Sequence, residues 1–262
     1  MEQADRQAHD YARGVPCNMI YFCTLCERFE RRLAWQLQSI AEQEDCPRLL
    51  IEIAMLMGNA RARDLCYHFR NYHGMDCIAQ NYQRDTFAYR GYVRNRQIQI
   101  AKAAGADYIF FADCDNVYHP AFFRLLLEQL DGMSETKCVA AKGKIHTERD
   151  ATDEACLDFD AAPFPDDAYR IAAELPRMKK GNRPIAGGGM QVCRMSELLE
   201  KTGGIYVEQT KDSHLFTKGQ RAKSDIQFRK VMSGSTMIDL PPEIHLQHYR
   251  DKEEGHHLED QR

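Results

Sequence analysis

The sequence predicts an α/β fold with a mostly parallel, Rossmann-like central sheet flanked by helices. Three observations predict it. Short apolar segments alternate with segments of helical periodicity over the first 140 residues. Tyr108–Ala112 is aromatic and β-branched with no polar residue inside it, the pattern of a strand buried on both faces. That run stops at two carboxylates one residue apart, Asp113 and Asp115. In open α/β sheets the end of such a strand is where ligands bind, because the crevices between strand ends and the following loops open there.

The elements follow in order. Asn18–Thr24, just after Pro16, reads as the first strand. Glu27–Gln43 carries Phe29, Leu33, Leu37 and Ile40 at helical spacing with Arg, Glu and Gln between them, the pattern of an amphipathic helix. Pro47 breaks it, and Leu49–Met57, closed by Gly58-Asn59, is a second strand. A helix over Ala60–Tyr72 and a short strand at Cys77–Gln80 come next. Tyr92–Gly105 places Val93, Ile100, Ala101 and Ala104 on one helical face, with Gly105 as its stop, and leads straight into Tyr108–Ala112. Pro120 suits the first turn of a helix whose apolar stripe is Phe122–Leu130, and Lys137–Lys142 is a further strand.

The second half differs in character. Asp150–Asp167 holds seven acidic residues and two prolines, which predicts a solvated excursion or lid. Arg177–Arg183 is a basic loop, and Ile185–Cys193 contains Gly187-Gly188-Gly189, which permits close approach of backbone to a ligand or a bulge. Met195–Lys201 is a short helix ended by Gly203-Gly204. Ser224 is a good N-cap for a helix over Asp225–Ser233. The chain then runs through Thr236–Leu240 and Pro241-Pro242 to the strand-like Glu243–Arg250. Residues 1–15 and 251–262 read as a peripheral arm and a tail.

A chain of 262 residues, 44% hydrophobic, is expected to form one domain. Its net charge of −4 gives no global electrostatic case for nucleic acid. No run approaches the roughly 18 apolar residues of a membrane span, so a soluble, cytoplasmic protein is expected. The ten scattered cysteines suit buried, reduced thiols, and Cys23-x-x-Cys26 has no second pair to complete a zinc site.

In an extended chain Asp113 and Asp115 point to the same side, so they can share one hard divalent cation, which in turn suits a diphosphate. Taken alone, the pair is as simply read as the polar turn that ends a strand.

The ordered set of blocks resembles the GT-A-fold nucleotide-sugar glycosyltransferases, especially the family-two group and its relatives the polypeptide N-acetylgalactosaminyltransferases. The blocks are Cys23-Thr24 with Arg28, then Gly91-Tyr-Val-Arg94-Asn95-Arg96, then Phe111-Ala-Asp113-Cys-Asp115. Downstream come Gly187-Gly188-Gly189 with Arg194, Lys223-Ser224-Asp225 with Arg229, and His248-Tyr249-Arg250. Together they span about Asn18 to Arg250.

The resemblance implies a nucleotide-sugar-binding half over residues 17–145 and an acceptor-binding half over 146–250. It implies Thr24, Arg28, Arg94, Asn95 and Asp113 as donor contacts, and Gly188, Gly189 and Gln191 on the acceptor side. Asp113, Asp115 and His248 would hold Mn²⁺ or Mg²⁺, with His245 as the other candidate histidine. Asp225 would be the general base of an inverting transfer to an unidentified acceptor, and retention stays open. Two departures are visible: the second strand ends in Met55-Leu-Met57-Gly58-Asn59 without an acidic residue, and Ser224 precedes Asp225 where the family has Glu. A nucleotidyltransferase acting on a sugar phosphate and a non-catalytic nucleotide-sugar-binding protein are the competing readings.

Overall fold

The computed structural model describes residues 18–27, 29–87, 90–178, 190–206 and 224–247, with the backbone alone at 224–226. Four strands in chain order, β1 (Met19–Cys26), β2 (Arg48–Leu56), β3 (Cys77–Tyr82) and β4 (Tyr108–Asp113), make one parallel part of the main sheet. β1, β2 and β4 are mostly apolar and buried, as expected of strands covered on both faces, whereas β3 at the sheet edge is half polar and only partly buried. The helices between them are α1 (Glu30–Ala41), α2 (Ala60–His73), the short α3 (Arg84–Phe87) and α4 (Arg90–Ala103). After β4 come a two-residue strand β5 (Asn116–Val117), α5 (Phe122–Asp131), β6 (Cys138–Ala141) and β7 (Lys144–His146). The second half supplies α6 (Arg149–Ala155), α7 (Ala168–Glu174), β8 (Met190–Arg194), α8 (Met195–Thr202), α9 (Ser224–Val231), β9 (Ser235–Ile238) and β10 (Glu243–His245).

The main sheet has seven strands in the order β3-β2-β1-β4-β8-β6-β9. It is parallel except where β8 runs antiparallel to both β4 and β6, so the predicted α/β class holds. Strand order reverses at β1, with β2 on one side and β4 on the other. The crevice between the C-terminal ends of β1 and β4 is therefore the topological switch point, and Asp113 ends β4 at its rim. A second sheet of three short strands, β5-β10-β7, was not foreseen. β10 falls at the start of the expected strand Glu243–Arg250, but β5 and β7, two and three residues long, are below what periodicity can detect.

Two expectations are corrected. Helix α1 is not half solvated: Arg32, Gln36, Gln38 and Ser39 are as buried as Leu33 and Leu37. The main sheet covers one side of it, and the second half of the chain covers the other. The acidic stretch after Asp150 is not a loose lid either. It forms α6 and a 3-10 turn over Cys156–Phe159, and Phe159 stacks on Trp35 of α1 with centroids 3.9 Å apart. Phe164 stacks on Phe69 of α2 at 5.5 Å. Two of its carboxylates meet arginines of the same helices: Asp153 meets the buried Arg32 at 2.6 Å, and Asp160 meets Arg31 at 3.0 Å and Arg61 at 2.7 Å. Two aromatic side chains anchor the stretch to α1 and α2, while all its carboxylate residues but Asp153 stay exposed, as the composition predicts.

The described cysteines are all unpaired as disulfides, and all but the half-buried Cys46 are buried. Among the described residues no helix is long and apolar enough to cross a membrane.

Candidate functional site

The backbone that carries the two aspartates is held from three directions. Arg94 Nη2 of α4 donates to the Ala112 carbonyl at 2.9 Å, Gln36 Nε2 of α1 donates to the Asp113 carbonyl at 2.6 Å, and the Leu246 amide donates to the Asp115 carbonyl at 2.8 Å. Carbonyls that run off the end of a strand would otherwise lack ladder partners. Each here is supplied by a different element. Asp115 is nearly buried, whereas Asp113 is half-buried.

Arg94 is 6% exposed. Besides Ala112, its guanidinium donates to the Cys23 carbonyl at 3.1 Å and to Gln97 Oε1 at 2.9 Å, and it lies over the Phe111 ring at 5.1 Å. These contacts tie the ends of β1 and β4 together from below. Thr24 is fully buried on the opposite face, in register with Ala112.

The small sheet delivers a histidine to the acidic turn. In β10, His245 is paired with Asn116 on one side and His146 on the other, so all three share one face. His245 Nδ1 lies 3.1 Å from Asp115 Oδ1 and 3.2 Å from Asn116 Oδ1, and its ring centroid is 5.1 Å from that of His146. Burial first, and then the nearby charges of His245 and Lys144, lower His146 to about 4, so it is a neutral imidazole. Gln247 Nε2 lies 2.6 Å from its Nδ1. On the same face Glu243 is paired with Lys144, and burial raises its pKa above the usual carboxylate range.

Of the two candidate histidines, His245 is the one beside Asp115, and His248 lies outside the described residues. Asp115 and His245 offer a carboxylate oxygen and an imidazole nitrogen, the donor types that suit Mn²⁺ and related divalent cations. Among the described residues, no group of three or more His, Cys, Asp or Glu side chains is placed to hold a metal ion.

Asn95 accepts from the Tyr206 amide at 2.6 Å. Tyr206 in turn donates its hydroxyl to Gln191 Oε1 at 2.7 Å and stacks on Phe228 of α9 at 4.2 Å. One tyrosine thus joins a predicted donor residue, a predicted acceptor-side residue and the helix that carries Asp225. Sequence reasoning passed over Tyr206; its place just after the Gly203-Gly204 stop was the signal available. Arg28, Gly188, Gly189 and the Asp225 side chain lie outside the described residues. Arg194, read together with the glycine block, is in register with Tyr108 at the other end of β4. There it lines a groove of about 380 Å³ with Asn18, Lys102, Asp107 and Ser196, away from the acidic turn.

The mixed α/β fold, a mostly parallel seven-stranded sheet flanked by helices, is GT-A-like. Solved structures share it. S. aureus TarS superposes with a TM-score of 0.56 at 11% identity over 87% of this chain and 37% of the TarS chain. S. aureus TarS 1-349 in complex with UDP gives a TM-score of 0.57 at 11% identity over 88% of this chain and 60% of that one. The chain therefore spans less than two thirds of the length of these neighbours, and the likeness is one of fold. No protein-family model matches the chain, and no curated protein matches it in sequence.

Proposed function

We propose that this protein transfers a sugar from a nucleotide-diphosphate sugar to an acceptor hydroxyl, with chemistry at the C-terminal edge of β1 and β4. The observation that carries the reading is the contact of Asp115, at the switch point, with His245 at 3.1 Å. Asp113, Asp115 and one histidine, His245 or His248, would hold a divalent cation on the donor diphosphate. When bound, that ion supplies Lewis-acid neutralisation of the departing nucleoside diphosphate. Uridine diphosphate is the donor half to test first, because TarS 1-349, which shares the fold, was solved in complex with UDP.

The residues of the chain do the rest. Thr24 and Arg28, at and after the end of β1, and Asn95 border the donor. Arg94 holds the crevice at its width through Cys23 and Ala112. Gly188, Gly189 and Gln191 border the acceptor, with Tyr206 tying Gln191 to α9. Asp225, at the start of α9, takes the proton of the acceptor hydroxyl as its oxygen attacks the anomeric carbon. The carbon–oxygen bond to the diphosphate breaks on the opposite side, so the anomeric configuration inverts.

Donor hydrolysis and transfer assayed with Mn²⁺ test the reading. Asp115→Ala should lose at least about 100-fold in turnover, since several kcal/mol of charge stabilisation leave with the carboxylate. Unchanged activity in that variant would remove the metal assignment. Asp225→Asn should keep donor binding and lose transfer. Release of pyrophosphate from a nucleoside triphosphate would instead favour the nucleotidyltransferase reading.

A further inference from the structure

Helix α1 carries a row of buried polar side chains that no apolar packing requires. Gln36 and Ser39 are three residues apart, and Gln43 follows four later just past the helix end, so they line one face. All three are at most 5% exposed. Each binds the backbone of the segment that begins at the acidic pair. Gln36 Nε2 donates to the Asp113 carbonyl at 2.6 Å, and Ser39 Oγ accepts from the Tyr118 amide at 3.2 Å. Gln43 donates to the His119 carbonyl at 2.8 Å and accepts from the Phe123 amide at 3.2 Å. The Glu44 amide adds a bond to the Pro120 carbonyl at 2.8 Å. The ladder therefore grips residues 113–123 from beneath.

We propose that Gln36 is a positioning residue for the carboxylates of Asp113 and Asp115, setting their affinity for a divalent cation without touching it. The Asp113 carbonyl belongs to the peptide unit that links Asp113 to Cys114. Holding that plane restrains ψ of Asp113 and φ of Cys114, two of the four backbone torsions between the Cα atoms of residues 113 and 115, and so restrains how the two carboxylates are presented. Sites of this kind need their ligands held within roughly 10–20° by a supporting shell. Gln36 supplies the bond nearest the pair, whereas Ser39 and Gln43 act further along, on the helix entry at Pro120. The inference rests on the proposed reading of Asp113 and Asp115 as cation ligands.

The test is Mn²⁺ binding, followed by the electron paramagnetic resonance of free Mn²⁺ in titrations of the full chain. Gln36→Met keeps the volume and removes the donor. It should weaken Mn²⁺ binding about tenfold, equivalent to about 1.4 kcal/mol. Turnover at saturating Mn²⁺ should stay near that of the parent. Ser39→Ala should lower the melting temperature and leave Mn²⁺ affinity within about twofold. Should Gln36→Met fail to fold, Gln36→Asn keeps the amide but is too short to reach, and the same weakening is expected of it.

Unchanged Mn²⁺ affinity in the Gln36 variant, with affinity lost in Asp115→Ala, overturns the inference and leaves the site reading intact. Equal weakening in Ser39→Ala also overturns it, since the effect would then be one of general stability. Unchanged affinity in Asp115→Ala overturns the site reading and the inference with it.

Discussion

The two faces of the central sheet meet at the same acidic turn but are held by different physics. On the α1 face, Phe22, Phe110, Tyr118, Phe122 and Phe123 form one aromatic cluster, with Phe22 and Phe110 centroids 5.0 Å apart. The polar side chains that hold the turn from there, Gln36, Ser39 and Gln43, are neutral. On the α4 face, beside the apolar cluster of Ile98 and Ile109, the sheet buries an ionisable network. Tyr21 donates to the fully buried Glu52, Gln97 lies against the same carboxylate, and Arg94 is close enough to act on its charge. The comparison teaches that one edge can be supported by dispersion on one side and by charge on the other. Of these braces, the one on the α4 face carries the buried titratable carboxylate, Glu52.

Three measurements sharpen or break that contrast, taken from the largest effect to the smallest. Phe110→Ala removes the centre of the aromatic cluster and should destabilise by about 4 kcal/mol in denaturant unfolding. That loss should be the same at pH 5 and pH 8; a pH-dependent loss would erase the distinction between the faces. Arg94→Met strips the Ala112 and Cys23 carbonyls of their shared donor and removes one of the positive charges that act on Glu52. About 3 kcal/mol is expected. A loss below about 1 kcal/mol would mean that the α4 network does not brace the crevice.

The third concerns Glu52, whose pKa burial raises above the ordinary 4.5. The folded state then keeps this proton to higher pH than the unfolded chain does. Its contribution to stability therefore falls as pH rises from about 4.5 toward the folded value, by at most about 1.4 kcal/mol per pH unit. Glu52→Gln keeps an acceptor for Tyr21 and should flatten that slope, making the variant the more stable of the two at neutral pH. An unchanged slope would place the pH dependence elsewhere.

The parts of the fold that were legible in the sequence are those set by apolar pattern. The runs at Met19–Cys26, Arg48–Leu56 and Tyr108–Asp113 contain too few polar residues to be anything but buried strands, and the structure places them within two residues of expectation. Asp113 and Asp115 were legible because carboxylates at the end of such a run are conspicuous. What surrounds them was not. Gln36 and Ser39 sit at helical positions that look solvent-facing until the second half of the chain covers them. His245 and His146 become neighbours only through the register of strands three residues long, across 99 positions of sequence. Tyr206 joins Asn95 to Gln191 by contacts of separation 111 and 15, which no local window contains.

The bond from the Leu246 amide to the Asp115 carbonyl also bears on the order in which the molecule is made. The partners are 131 positions apart, and β4 likewise waits for β8 before its outer edge is covered. During synthesis the strands β1 to β4 can pair as they emerge, since their crossovers are local, but the acidic turn has its last brace only after residue 246 has left the ribosome. A nascent chain stopped short of that point would hold a nearly complete parallel sheet around a turn whose third anchor is missing.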